Sequence, residues 1–317
     1  QDTTRKIKWS ATGNVSTVNI DYKTSAGGAW VNIVTGAVTG GGNIVGVGAS
    51  EYTWPSIPIG LKTEDAYIRV SDNRYPSETT FSMPAAFRIR PKINVTSPIA
   101  TDQWVVGSTT NLIKWSQAQG NAVSFVDVYY SINGGTGYVP TPIATLVPVA
   151  NGTAGIAWTI PDAIGTNVVV KVQDNEAGFT NVNGVSPVFK IKGGLTLTAP
   201  TGGVNRIAAT TNTITWNYTG SIGNVKIYYS VNSGAGPWTL IDTKDQVAAA
   251  CSGSCSYSWL ATHIVPVPSA VTNTARIRIT NAADETDVIS EGTDFKFGAQ
   301  FNVLSPENGA PVNAEDT

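Results

Sequence analysis

The sequence is poor in charged residues, histidine, cysteine and methionine, and these shortages exclude several classes of function. Only 13% of the 317 residues are charged, and the formal net charge of -2 supplies no long-range field to attract nucleic acid or an anionic membrane. No run of 18 apolar residues is present. We therefore expect no nucleic-acid partner and no membrane insertion.

The residues that usually carry catalysis are also scarce. His263 is the only histidine, so histidine-dependent nucleophilic chemistry has a single candidate. The sequence has no phosphate-binding loop, dinucleotide fingerprint or H-E-x-x-H motif, and no evident cleft carries paired inward carboxylates. We predict that the protein is not an enzyme and binds no cofactor.

Both cysteines lie in one short loop, "CSGSC", as Cys251 and Cys255. A disulfide closes this loop if the two Cα atoms come within about 7 Å. Two thiols in a β-rich chain favour that pairing and an oxidising compartment, and so short a ring stabilises the loop more than the domain. The alternative is a zinc site, which needs further ligands, and His263 supplies only one.

Glycine, proline, threonine and valine are abundant, as is typical of short strands joined by tight turns. Seven sequence stations recur in the same order. The first is "IKW" at 7–9 and 113–115 and "ITW" at 214–216; another is a second tryptophan at Trp54, Trp158 and Trp259; the last is "INVTSP", "LTLTAP" and "FNVLSP", which begin at 93, 195 and 301. This repetition predicts three tandem homologous units.

Within these stations the apolar residues alternate with polar ones. Ile113 and Trp115 flank Lys114, and the same period of two continues along the other stations. Such alternation buries one face of a strand and is typical of an antiparallel sandwich. About seven strands in roughly 100 residues indicate an immunoglobulin-like sandwich, in which the two tryptophans of each unit fill the core.

The repeated pattern resembles the tandem immunoglobulin-like or fibronectin-like repeats of large bacterial cell-surface and secreted proteins. The resemblance covers the whole chain and implies spacers and fibres at the cell surface or outside the cell. We expect an all-β chain of three sandwich domains at 1–92, 93–194 and 195–300. Residues 301–317 would then be the first strand (strand A) of a following domain, or a donor strand.

The first domain is expected to lack its strand A. Trp9 has eight residues before it, whereas Trp115 follows a complete first strand and turn. The sequence of the missing strand occurs instead as a spare strand at the other end of the chain, in Phe301, Asn302, Val303, Leu304, Ser305 and Pro306. Without this strand, an exposed edge would lie over the core residues Ile7, Trp9 and Trp54.

Two arrangements would complete the first domain. The spare strand of one copy can complete the next copy by strand addition, which is a head-to-tail contact that grows a filament. Alternatively, the 317 residues are one stretch of a longer polypeptide with tandem domains, and the spare strand is covalently followed by the rest of its domain. Both arrangements predict a structural building block of a stiff extracellular filament or cell-surface fibre, because the links between domains are too short to be flexible coils.

An adhesin or carbohydrate-binding array is the alternative function. Outward positions on the last two strands of each domain form a basic stripe, and Trp104 and Tyr75 would stack on sugars if exposed. The stripe contains Arg69, Arg88, Arg90, Lys171, Lys190, Lys192, Arg276, Arg278 and Lys296. It would suit surface glycans, or it keeps exposed sheets from aggregating.

The loops "DNRYPSE", "DNEAGFT" and "NAADETD" are expected to brace the junctions between domains. Their carboxylates are either calcium ligands or solvated turn residues. Asn14, Asn94, Asn151 and Asn217 begin glycosylation sequons, which matter only in a cell that glycosylates.

Overall fold

The computed structural model describes residues 6–38, 48–78, 80–118, 122–245, 251, 253–260, 268–269 and 271–303. These residues form 25 strands, one 3-10 turn at Val149–Gly152 and no α-helix. The predicted all-β fold is therefore confirmed. A search of the same residues for a helix with the length and hydrophobicity of a membrane span finds none.

Repeat 1 forms two sheets. Its strands are β1 (Lys6–Ala11), β2 (Thr17–Lys23), β3 (Val31–Val38), β4 (Gly48–Thr53), β5 (Thr63–Asp72), β6 (Thr80–Ser82) and β7 (Phe87–Ile89). One sheet is the antiparallel pair β1-β4. The other has the order β3-β2-β5-β6, and β7 also pairs with β5.

Repeat 2 forms the corresponding two sheets with more strands. Its strands are β8 (Lys92–Ser97), β9 (Gln103–Val105), β10 (Leu112–Ala118), β11 (Phe125–Ser131), β12 (Ala144–Pro148), β13 (Ile156–Ala157), β14 (Gly165–Asp174), β15 (Asn183–Val185) and β16 (Phe189–Lys192). The smaller sheet has the order β13-β10-β8. The larger has the order β12-β11-β14-β16-β9, with β15 on β14.

Repeat 3 follows the plan of repeat 2. Its strands are β17 (Gly194–Ala199), β18 (Asn205–Ile207), β19 (Asn212–Thr219), β20 (Asn224–Ser230), β21 (Thr239–Asp245), β22 (Ser254–Trp259), β23 (Thr272–Asn281), β24 (Asp284–Glu291) and β25 (Phe295–Gly298). The smaller sheet has the order β17-β19-β22. The larger has the order β18-β25-β23-β20-β21, with β24 on β23.

Backbone contacts divide the chain into two compact units. The first contains residues 1–102, 112–158 and 167–189, and the second contains 103–111, 159–166 and 190–317. This division runs through repeat 2. The boundaries after residues 92, 194 and 300 stay predictions from the sequence.

The strand alternation has the predicted period. In β23, Ala275, Ile277 and Ile279 are at most 1% exposed, whereas Arg276 and Arg278 between them are half-buried. Such a strand buries every second side chain in the sandwich and leaves the charged ends of the others in water.

Each repeat contains the same aromatic pair in its core. A tyrosine on β2, β11 or β20 packs against the second tryptophan of its repeat, and the two ring planes are tilted by 46° to 49°. The pairs are Tyr22–Trp54 at 5.2 Å, Tyr130–Trp158 at 5.1 Å and Tyr229–Trp259 at 5.0 Å between ring centroids. The second tryptophan is therefore a core residue in all three repeats, since it is at most 7% exposed.

The position of this tryptophan relative to its strand differs between repeats. Trp259 ends β22, but Trp54 and Trp158 directly follow β4 and β13. In repeat 1 the ladder between β1 and β4 ends where Lys6 faces Thr53, so Trp54 lies just beyond the paired residues. Trp54 is therefore positioned by packing against the Tyr22 ring and not by pairing between β1 and β4.

Candidate assembly site

In repeats 2 and 3, a first strand covers the core tryptophan of the smaller sheet. The strand β8 pairs with β10 so that Val95 faces Trp115, and β17 pairs with β19 so that Leu197 faces Trp216. Both tryptophans are 1% exposed. The strands β8 and β17 therefore hold the position predicted for strand A.

In repeat 1, no described residue occupies that position. The strand β1 corresponds to β10 and β19, but it pairs only with β4 within the described part of the chain. Ile7 and Trp9 are consequently half-buried, whereas their counterparts Ile113 and Ile214 are at most 1% exposed. Among the described residues, repeat 1 therefore has no counterpart of β8 and β17, and the lack of strand A stays a prediction.

A groove of about 1200 Å³ opens where strand A would lie. Its apolar lining includes Ile7, Trp9, Trp54, Ile68, Phe87 and Ile89. The predicted acceptor residues Ile7, Trp9 and Trp54 all contribute to it. The groove thus exposes a core surface that is closed in the other two repeats.

A second edge borders this groove. In repeat 2, β9 pairs in parallel with β16, and in repeat 3, β18 pairs in parallel with β25. The strand β7 has the corresponding position in repeat 1, and among the described residues its one partner is β5. Repeat 1 therefore presents two open backbone edges, one on each sheet.

The predicted donor segment is only partly described. Phe301 and Val303 are 87% and 78% exposed, Asn302 is also exposed, and the three residues form no strand. Leu304, Ser305 and Pro306 lie outside the described residues. The role of this segment as a donor strand stays a prediction.

The predicted basic stripe contains three equivalent contacts between a cation and an aromatic ring. Arg69 lies 4.7 Å from the centroid of Trp30, Lys171 lies 4.2 Å from that of Tyr138, and Arg278 lies 3.8 Å from that of Trp238. Burial lowers the pKa of Lys171. These side chains cover aromatic surface at the same place in each repeat.

Carboxylates or carbonyl oxygens engage most of the remaining stripe. Arg88 and Arg90 lie 2.9 and 2.7 Å from Glu64. Arg276 pairs with Glu291 and Asp294, Lys190 pairs with Asp284 and Asp287, and the Lys192 ammonium donates to Gln103. Lys296 is exposed and forms no ion pair among the described residues. Glycan binding by the stripe stays a prediction, and much of its charge is already compensated.

The two additional aromatic candidates differ. Trp104 on β9 is only 7% exposed, so the exposure on which sugar stacking was conditional is not met. Tyr75 is 55% exposed and lies beside the Arg74 guanidinium.

The loop "DNEAGFT" of repeat 2 contacts repeat 1 through a buried lysine. The Lys62 ammonium lies 2.6 Å from Asp174 and 2.7 Å from Glu176, and 4.4 Å from the ring centroid of Phe179. The side chains of Lys62 and Asp174 are 7% and 2% exposed. Burial lowers the pKa of Lys62, but the two carboxylates outweigh it, so the pKa lies above its ordinary value.

The loop "NAADETD" of repeat 3 makes a corresponding contact with repeat 2. Lys190 lies 2.6 Å from Asp284 and 2.5 Å from Asp287. Burial lowers the pKa of Lys190, and the two aspartates raise it further than burial lowers it. Both loops therefore brace a junction through a lysine of the preceding repeat.

The described residues contain no group of three or more His, Cys, Asp or Glu placed to hold a metal ion. Most carboxylates of the three loops instead face basic side chains: Asp174 and Glu176 face Lys62, Asp284 and Asp287 face Lys190, Asp72 faces Arg74, and Glu285 faces Lys226. The sequence singled out these loops but missed Lys62, which directly precedes β5. The aligned positions in the other repeats hold the apolar residues Ile164 and Val271, so no repeated charge marked this lysine.

A disulfide joins Cys251 and Cys255, whose Cα atoms are 5.1 Å apart. Cys255 lies on β22 opposite Trp216, and Gly253 between the cysteines has φ = +74°, which favours glycine. His263, the one zinc ligand that the sequence offered besides the cysteines, lies outside the described residues.

No protein-family model and no curated protein matches the chain. Among solved structures it is similar to fibronectin(III)-like modules of Clostridium thermocellum CbhA, with 17% identity over 66% of this chain and 94% of that one and a TM-score of 0.21. It is similar to titin fragment I67-I69, with 9% identity over 94% and 93% and a TM-score of 0.27. It is also similar to three N-terminal domains of the bacteriophage RB49 outer capsid protein Hoc, with 13% identity over 94% and 95% and a TM-score of 0.25. Such low scores carry no information about function.

The open edge of β1 predicts fast hydrogen exchange. Among the described residues, the backbone amides of residues 6–11 that point away from β4 have no strand partner. In dilute solution this segment should therefore exchange about tenfold or more faster than 112–118 and 212–219. Mass spectrometry of the three peptides measures the difference. Equal protection would show that β1 is covered.

The buried ion pair predicts a large cost for removing Lys62. The substitution Lys62→Met leaves the Asp174 carboxylate buried without its cation, which should cost about 3–5 kcal/mol. The control Lys6→Met breaks an exposed pair with Glu51 and should cost much less stability than Lys62→Met. Calorimetric unfolding measures both, and equal losses would contradict the assignment. Because the folded pKa of Lys62 is raised, its contribution is present at neutral pH and is lost only as the pH rises above about 10.5.

Proposed function

We propose that the protein is a structural building block of an extracellular or cell-surface filament, in which the segment beginning at Phe301 fills the groove of repeat 1 in a second copy. The observation that carries this proposal is the groove over Trp9, because the same surface is closed by β8 and β17 in the other repeats. The Cys251–Cys255 disulfide supports an oxidising location.

The repeats specify how the donor segment would pair. The station "FNVLSP" aligns Phe301 with Ile93 and Val303 with Val95, two inward residues of β8 that are 2% and 7% exposed. The pairing of β8 with β10 then places Val303 opposite Trp9 and Phe301 opposite Ala11. Asn302 would face Ser10 on the outer surface.

Hydrophobic burial favours this exchange. Phe301 and Val303 are largely exposed, and full burial of such a side chain stabilises by about 1.5–3 kcal/mol. The open edge of β1 would gain main-chain hydrogen bonds at the same time. Since donor and acceptor lie on different parts of the chain, the contact is head to tail and grows without closing.

The donor side chains predict a graded loss of assembly. Phe301→Ser or Val303→Ser should weaken association between copies about tenfold or more, because each removes a side chain destined for the groove. The matched control Asn302→Ser changes an outward residue and should leave association unchanged. Sedimentation measures the affinity, and electron microscopy shows the filaments. A wild-type chain that stays monomeric at high concentration would overturn strand exchange and favour a covalent array.

The register predicts a specific cross-link. The double variant Ser10→Cys/Asn302→Cys should form disulfide-linked ladders under mild oxidation, because these positions would face each other across the new pair. The control Lys6→Cys/Asn302→Cys separates the thiols by four strand residues, about 13 Å, and should stay monomeric under denaturing conditions. Equal ladders from both variants would contradict this register.

A further inference from the structure

Repeat 3 docks on repeat 2 through a loop that inserts an apolar side chain. Ile222 lies in the loop before β20, and it packs against Gly193 and Ile164 of repeat 2. A Cβ atom added to Gly193 would lie only 1.9 Å from Cγ2 of Ile222 and 3.5 Å from Cδ1 of Ile164. The three residues thus form a plug in a socket, with no room for one further carbon atom.

Polar contacts surround this plug. The amide and hydroxyl of Ser221 donate to the Asp162 carboxylate at 3.0 and 2.5 Å. Beside the hairpin of β23 and β24, Lys190 lies 2.5 Å from Asp287. The junction therefore combines one buried apolar insertion with an ion pair at its rim.

Repeat 3 carries the same socket at its own far end, without a plug from the described residues. The alignment of β16 with β25 and of β14 with β23 matches Gly193 to Ala299, Lys190 to Lys296 and Ile164 to Val271. A cavity of about 650 Å³ is lined by these three residues of repeat 3, and Val271 is 66% exposed.

Repeat 1 carries the same plug. Its loop before β2 repeats the turn of repeat 3, since the Val15 amide donates to the Gly13 carbonyl at 3.1 Å and the Ile222 amide donates to the Gly220 carbonyl at 2.9 Å. Both glycines have positive φ, at +92° and +77°. Val15 is therefore the counterpart of Ile222, and it is half-buried.

The rim acid is present as well. The hairpin of β5 and β6 pairs Ser71 with Thr80, as that of β23 and β24 pairs Thr280 with Ile289. Two residues before these partners lie Glu78 in repeat 1 and Asp287 in repeat 3. Glu78 is exposed and has no ion pair among the described residues.

The sizes of plug and socket change together. The internal junction combines Ile222 with Gly193, whereas the corresponding positions in repeats 1 and 3 hold the smaller Val15, which packs against the core of repeat 1, and the larger Ala299. Relative to the internal group, the plug has one carbon atom fewer and the glycine position has one more, and Val271 is one carbon atom smaller than Ile164. The smaller plug leaves room for the added Cβ atom, which at Gly193 would clash with Ile222.

We propose that the loop of repeat 1 carrying Val15 docks in the Val271–Ala299 socket of repeat 3 in a second copy, with Glu78 paired to Lys296 at the rim. This surface rests on the proposed function and adds to it a second contact between the same two copies. Strand exchange supplies the main-chain connection, and the plug fixes the orientation of the joined repeats.

The rim ion pair is tested by charge reversal. Lys296→Glu and Glu78→Lys should each weaken association of the full chain by about three- to tenfold, because each places like charges together, and the double variant should restore it. The control Lys92→Glu reverses an exposed lysine on β8 and should have no effect. Sedimentation of each variant at low ionic strength measures the change.

The plug is tested by an exchange of volume. Val15→Ile should weaken association about fivefold or more by overfilling the socket, and Val15→Ile/Ala299→Gly should restore it by recreating the internal pair. Isoleucine already occupies the equivalent position of repeat 3, so the variant should fold.

The outcomes separate the two proposals. If the single variants have no effect, or the double variants fail to recover, the docking surface is overturned. Strand exchange still stands in that case, provided that Phe301→Ser weakens association. A wild-type chain that does not associate, or that associates equally well with Ser at 301 and 303, overturns both.

Discussion

A β-sandwich must pair its backbone edges and cover its inward face at the same time, and one first strand does both. Where β8 and β17 are present, the tryptophan beneath is closed from solvent. Where the described residues provide no such strand, Ile7 and Trp9 become half-buried and a groove opens. The partial burial and the open edges of repeat 1 thus both follow from the absence of counterparts of β8 and β9 among its described residues.

The repetition of the chain makes each repeat a reference for the others. The Tyr–Trp pair is the same in all three, so the core of repeat 1 is not built differently. Its open groove reflects a difference at the sheet edges, where the described residues of repeat 1 have no counterpart of β8 and β9. The same comparison matches Val15 with Ile222 and Ala299 with Gly193, and these matches give the docking proposal its geometry.

Sequence reasoning predicted the sandwich because alternation and paired tryptophans repeat with the backbone period. It also located the incomplete edge, since Ile7 and Trp9 recur without the preceding station. It did not predict that Trp104 is buried, because a three-residue strand such as β9 shows too little alternation to assign a face. Lys62 was missed because its partners, Asp174 and Glu176, are more than a hundred residues away, and no local pattern encodes such a contact.

The exchange of one carbon atom between plug and socket has a consequence for fidelity. An Ile222-type loop offered to the Ala299 surface would collide, and a Val15-type loop offered to the Gly193 surface would leave a void. In the proposed assembly, each junction would consequently accept its own neighbour better than the neighbour of the other junction. Steric mismatch would then disfavour a subunit placed out of order among nearly identical modules.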